Sequence, residues 1–179
     1  VKIFCCLFLT AVFSFSTLSA QGASSTLYSQ FSGKNVRIHL AEIKDSTTDH
    51  KVSISEVSAR LTEALVNRKS IRFQVVGTPG EADLVVQVDL KGFFWSNHDP
   101  VDMIAGLGAT AMDVAIVEDY AKLEADFIVT DAKTGETLWQ DRVIATVTKK
   151  PMSESESLPL ITQDLAKVFI KQCFGKKRR

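Results

Sequence analysis

Cysteine is scarce in this 179-residue chain and badly placed for cross-linking: Cys5 and Cys6 lie near one end and Cys173 alone near the other. If the first twenty residues are removed, a single thiol remains, which excludes an internal disulfide framework. Proline is rare as well, at 4 residues, and neither Gln nor Ser is in excess, which excludes wholesale disorder. Charge of one sign is missing, since 21 basic and 21 acidic residues cancel, and nothing global points to nucleic acid. Signatures of chemistry are missing too. There is no G-x-S-x-G elbow, no P-loop and no H-E-x-x-H, and His39, His50 and His98 have neither helical metal-site spacing nor a companion cysteine.

What is there is ordinary globular composition, 45% hydrophobic and 23% charged, enough for one packed core. The first twenty residues stand apart. Lys2 is followed by an apolar run from Ile3 to Phe15 and then by small polar residues ending LSA before QG. This pattern predicts a secretory signal peptide over 1–20, cut after Ala20, because the run is too short to span a bilayer comfortably. Residue 21 is Gln, where bacterial lipid attachment needs Cys. The expectation is therefore an exported, periplasmic protein without a lipid anchor, associated with the outer membrane through a partner. At the other end Lys176, Lys177, Arg178 and Arg179 form a basic tail. It reads as a solvated terminus or as an attraction to anionic head groups, worth about 1 kcal/mol per cation.

Between these ends the periodicity predicts a single α+β domain over 34–175, preceded by a flexible leader over 21–33. Val36, Ile38 and Leu40 alternate with Arg37 and His39, which is a half-buried strand. Ser53 and Glu56 give a capping pattern, followed by an apolar stripe of Ile54, Val57, Leu61, Ala64 and Leu65. Residues 72–76 make a short strand, and 77–81 a Gly- and Pro-containing loop. Leu84, Val86, Val88 and Leu90 face one way and Val85, Gln87, Asp89 and Lys91 the other, as in an antiparallel sheet covered on one side. Leu123, Ala125, Phe127 and Val129 alternate likewise, a turn at 131–136 uses Gly135, and 137–147 returns as the last strand. A final helix over 157–174 carries Pro159 in its first turn. The order βαββββα predicts a two-layer sandwich: a mainly antiparallel sheet of about five strands with two helices on one face.

One connection does not fit that economy. Residues 103–117, MIAGLGATAMDVAIV, carry a single charge, Asp113, inside an apolar insertion at about 97–118. Gly106 and Gly108 give G-x-G, but the third glycine and the tight strand-to-helix turn of a phosphate loop are both missing. Three readings remain: a buried helix completing the core, a contact surface, or a membrane-inserted element, the last opposed by Asp113. Met103, Ile104, Ala105, Leu107, Gly108, Ala109, Ala111 and Met112 are the candidate interface, with the Gly and Ala residues allowing close backbone approach. Asp83, Asp89, Glu124 and Asp126 are scattered along strands and read as solubilising charge. Trp95 and Trp139 read as packing, or as the walls of a ligand surface.

The element order and several phrases resemble a group of small bacterial envelope proteins that includes the LptE-like lipopolysaccharide-assembly lipoproteins and the periplasmic domain of the curli secretion protein CsgG. The phrases are NVRIHLAEIKDST before a capped helix, Phe73 to Val76, Ala82-Asp83-Leu84, and a hairpin with Asp131, Thr134, Gly135, Leu138 and Trp139. The likeness covers residues 34–174. It implies envelope assembly, transport or secretion work without enzymatic activity, cofactor or metal, through an envelope protein partner or self-association, with a possible outer-membrane contact. The alternatives are a carrier for a lipidic or glycan ligand and an enzyme with a dispersed site. In CsgG-like channels the connection at 97–118 supplies a membrane hairpin. Residues 103–117 lack the alternation that two membrane strands need, so no pore is expected here.

Overall fold

A computed structural model of the chain describes residues 26–96, 119–149 and 152–176. The elements are α1 (Tyr28–Phe31), β1 (Asn35–Leu40), β2 (Lys44–Asp45), α2 (Ile54–Val66), β3 (Arg72–Val75), a 3-10 turn at Pro79–Glu81, β4 (Leu84–Ser96), β5 (Asp119–Asp131), β6 (Thr137–Lys149) and α3 (Glu154–Phe174). One sheet runs β3-β1-β4-β5-β6, with β2 pairing β4 just beyond β1. α2 and α3 lie on one face, and the architecture is the α+β two-layer sandwich that the periodicity predicts.

The sheet is mixed. β1 pairs in parallel with both β3 and β4, because α2 carries the chain over the sheet between β1 and β3. β4, β5 and β6 are antiparallel and, at 13 residues each, supply most of the register. β2 is a sixth strand of two residues, where the sequence suggests only a polar turn. Lys44 and Asp45 sit opposite Asp89 and Leu90.

Alternation holds to Leu90 and then breaks. Leu84, Val86, Val88 and Leu90 are buried, but the register steps from Leu90–Ala125 to Gly92–Glu124 and leaves Lys91 as the extra residue of a bulge. Strict alternation would carry Phe94 into the core. The bulge instead turns Phe93 and Trp95 toward the helices, opposite buried Leu123 and Ala121, and leaves Phe94 half exposed.

Both helices begin on serine. Ser53 caps α2 by accepting from the Glu56 amide at 3.3 Å. α3 starts three residues earlier than periodicity suggests. Ser153 and Glu156 close a full capping box, with the Ser153 amide donating to Glu156 Oε2 at 2.9 Å. Glu154, Ser155 and Glu156 read as loop but form the first turn, and Pro159 therefore lies inside the helix. Aromatic rings tie the layers together. Phe169 of α3 stacks on Phe127 of β5 at 4.4 Å and meets Trp139 of β6 edge-on at 5.8 Å, while Phe174 packs on Phe73 of β3 at 4.8 Å.

The end of the supposed leader is fastened to this core. Leu27 is buried and its amide donates to the Cys173 carbonyl at 2.7 Å, and the Gly33 amide donates to Ser70. Burial of Leu27 against the end of α3 holds this segment to the core.

Candidate functional site

The interface singled out in the sequence, Met103 to Met112, falls within 97–118 and lies outside the described residues. Its two attachment points are described. β4 ends at Ser96 and β5 starts at Asp119, with Ser96 opposite Tyr120 in the antiparallel register. At this root Phe93 and Trp95 pack on the core, while on the outer face Phe94 and Tyr120 meet at a ring separation of 5.4 Å. Phe94, beside this root, is 50% exposed, and Ile144, two strands away on β6 and opposite Glu124, is 44% exposed. The indole N–H of Trp95 is buried and has no acceptor among the described residues.

The rest of the outer face is charged. Arg142 grips Asp126 with two hydrogen bonds, at 2.7 and 3.2 Å, and the bulged Lys91 reaches Asp89 and Asp126. Lys122 pairs with Glu124 and Arg37 with Asp83. The Arg37 guanidinium and its backbone amide hold the Asp83 carboxyl below the usual range. Each pair is open to solvent on at least one side, where screening leaves it little net stabilisation. Asp83, Asp89, Glu124 and Asp126 are thus paired surface charges rather than one converging site.

A concave feature lies on the helical side. A groove of about 960 Å³ opens between α2 and α3. Five cations line it, Arg60, Arg68, Lys167, Lys171 and Lys176, against one carboxylate, Glu63. Glu63 and Glu56 are both engaged by Arg60. Arg68 donates to the Phe174 carbonyl at the end of α3, its Nε has no partner among the described residues, and burial pulls its pKa below the guanidinium norm. Nothing in the periodicity announces this groove, since its walls are 26, 60–68 and 163–176. Only the basic tail at Lys176 hinted at it.

The remaining candidates are structural. His39 Nδ1 lies 3.2 Å from the Val76 carbonyl, and His50 Nδ1 lies 2.9 Å from Asp45. His98 is outside the described residues. Asp45 organises the turn after β2. Burial pushes its carboxyl up, but hydrogen bonds from Thr47 and His50 outweigh this and hold it below the usual range. Trp139 is core, packed on Phe169. Cys173 is fully buried, and that burial drives its thiol far above the normal range, which leaves no thiolate for chemistry. Among the described residues no three His, Cys, Asp or Glu side chains cluster to hold a metal. No helix among them is long and apolar enough to cross a membrane.

No family model matches the chain, and no curated protein matches it. Solved structures do. A hypothetical protein from Chlamydia trachomatis is similar over 77% of this chain and 95% of its own, at 9% identity and a TM-score of 0.53. A protein from Xanthomonas campestris of the DUF330 family is similar over 81% and 85%, at 9% identity and a TM-score of 0.52. A lipoprotein from Neisseria meningitidis is similar over 74% and 96%, at 9% identity and a TM-score of 0.42. Identities this low show the fold alone. One expectation is corrected by this company. Neighbours of the fold include bacterial lipoproteins, which are lipid-anchored, and this overturns the reading of an exported protein without a lipid anchor. That reading rested on one residue, Gln21, which lies outside the described residues. The chain is similar in fold to bacterial envelope proteins, and the narrower likeness to the LptE-like and CsgG-like group rests on the sequence phrases alone.

Proposed function

We propose that this chain is a non-enzymatic component of an envelope assembly, transport or secretion complex, and that it meets a protein partner or a second copy of itself through residues 103–117. The observation that carries this reading is the position of the apolar insertion. Neighbouring antiparallel strands need as few as two residues to connect them. Here residues 97–118 lie between Ser96 and Asp119, and the apolar stretch within them carries one charge. Exposed Phe94, packed on Tyr120, adds an aromatic side chain at the root of the insertion. The sequence resemblance supplies the setting, the cell envelope.

The second reading is a carrier for a lipidic or glycan ligand. It draws on Trp95, whose indole N–H lacks an acceptor among the described residues at the base of the insertion.

Affinity recovery of the full chain from envelope fractions tests the first reading against the second. The wild type brings down a protein partner, or more of itself, at fixed stoichiometry, and Leu107→Asp loses it while melting at the same temperature. A lone monomer carrying co-purified lipid supports the carrier instead. A Leu107→Asp chain that fails to fold makes the segment part of the core and sinks the interface.

A further inference from the structure

The groove between α2 and α3 lies on the helical side of the molecule, away from the outer face of the sheet, and it plays no part in the proposed assembly contact. We propose that this groove is a docking face for an anionic lipid bilayer, and that it seats phospholipid head groups against Arg68, Lys167, Lys171 and Lys176.

Charge segregation is the first argument. The whole chain is balanced, with 21 basic and 21 acidic residues, yet this groove gathers five cations and one carboxylate. Arg60 neutralises that carboxylate, Glu63, at 3.2 Å. Among the described residues Lys167 and Lys171 form no ion pair with a carboxylate, unlike Lys51, Lys91, Lys122 and Arg142, and they share one concavity with Arg68 and Lys176. Unpaired cations gathered in one concavity hold a positive potential that invites an anion.

The shape of the groove and the run of the chain select a membrane over an acidic protein. Between the cations the floor is apolar, from Ala64 and Val168, so long lysine stems can lie on it while their ammonium groups reach outward. Gly175 and Lys176 line the groove, and in sequence they are followed by Lys177, Arg178 and Arg179. Thr26 lines it as well. The described chain therefore begins beside this face. With the groove toward the bilayer, the sheet's outer face and the root of the insertion are left for a partner.

Vesicle partitioning of the full chain tests this. The wild type is compared with Lys167→Ala/Lys171→Ala on phosphatidylcholine vesicles with and without phosphatidylglycerol. Both lysines are exposed on α3, so the variant keeps the wild-type melting temperature. Any N-terminal contribution is common to both chains and cancels. Each cation contributes about five-fold near an anionic surface, so the double variant partitions about thirty-fold more weakly on the phosphatidylglycerol vesicles and equally on the neutral ones. The difference disappears in about 1 M salt, where the screening length falls to about 3 Å. The control Lys44→Ala/Lys133→Ala removes the same charge from elsewhere on the surface and leaves partitioning unchanged. Equal binding by wild type and groove variant overturns the proposal, and so does a control that weakens binding as much. A groove variant that keeps its vesicle binding but loses an acidic protein partner assigns the groove to that protein and overturns it as well. None of these outcomes depends on whether Leu107→Asp breaks an assembly.

Discussion

Replacing Phe169 with Ala removes a side chain that packs on β5, on β6 and on Phe174 at the end of α3. Its ring is fully buried. It stacks on Phe127 at 4.4 Å with planes 14° apart, and meets Trp139 at 5.8 Å and Phe174 at 6.0 Å edge-on. Truncating a buried phenylalanine costs about 3–5 kcal/mol in transfer and cavity energy. The position belongs at the upper end of that range, because three aromatic neighbours lose a partner worth about 0.5–1.5 kcal/mol each beyond area. A cost of about 5 kcal/mol is comparable to the whole stability of a marginal domain, about 5–15 kcal/mol. In a domain of this length it lowers the melting temperature by roughly 10–20 °C. Phe169→Leu restores most of the volume without the ring and costs about 1–2 kcal/mol. Urea unfolding followed by tryptophan fluorescence reads both variants, since Trp139 reports on the same cluster. A cost below about 2 kcal/mol for Phe169→Ala, or no gap between the Ala and Leu variants, would show that this cluster does not hold the two layers together.

Two further predictions follow from single residues. The sheet ends at β6, a 13-residue edge strand, and Asp141 lies opposite Phe127 on its helix-facing side yet is exposed. An inward-side charge on an edge strand blocks edge-to-edge pairing. Asp141→Val therefore promotes concentration-dependent aggregation with little change in monomer stability, and light scattering that stays flat with concentration refutes this. Asp83 is held below the normal carboxylate range by Arg37, and Asp131 by the amides of Thr134 and Lys133. Their folded values are depressed, so the stabilisation is complete above the unfolded carboxylate value of about 4 and is lost as pH falls through the lower folded values. The wild type loses melting temperature below about pH 4, and Asp83→Asn starts lower and falls less steeply. Parallel acid limbs for the two proteins count against the pairing.

Much of the fold is legible because alternation is a local signal. Leu84 to Leu90 and Leu123 to Val129 each declare their buried face within a few residues, and the stripe of α2 declares itself by 3.6 periodicity. Strand direction is not local. Whether β1 has parallel neighbours depends on where α2 returns the chain, which residues 35–40 do not record. The bulge at Lys91 hides for a similar reason, since the count of residues fails only against the partner strand. The start of α3 is hidden by composition, because Glu154 to Glu156 read as polar loop until Ser153 is recognised as the cap. The apolar insertion is visible in the sequence as an excess of hydrophobic residues. The basic groove is not, because residues 60–68 and 163–176 become neighbours only when α2 packs on α3.

Residues 103–117 are proposed to make a contact between proteins. The most direct test is the mass, by light scattering, of the complex recovered from envelope fractions through wild-type chain and through Leu107→Asp. The wild type, 19.7 kDa before any processing, is expected to elute as a larger species of fixed composition. Leu107→Asp is expected to elute as a folded monomer with an unchanged melting temperature. A wild type that is monomeric, or a Leu107→Asp chain that retains the full complex, contradicts the proposed contact.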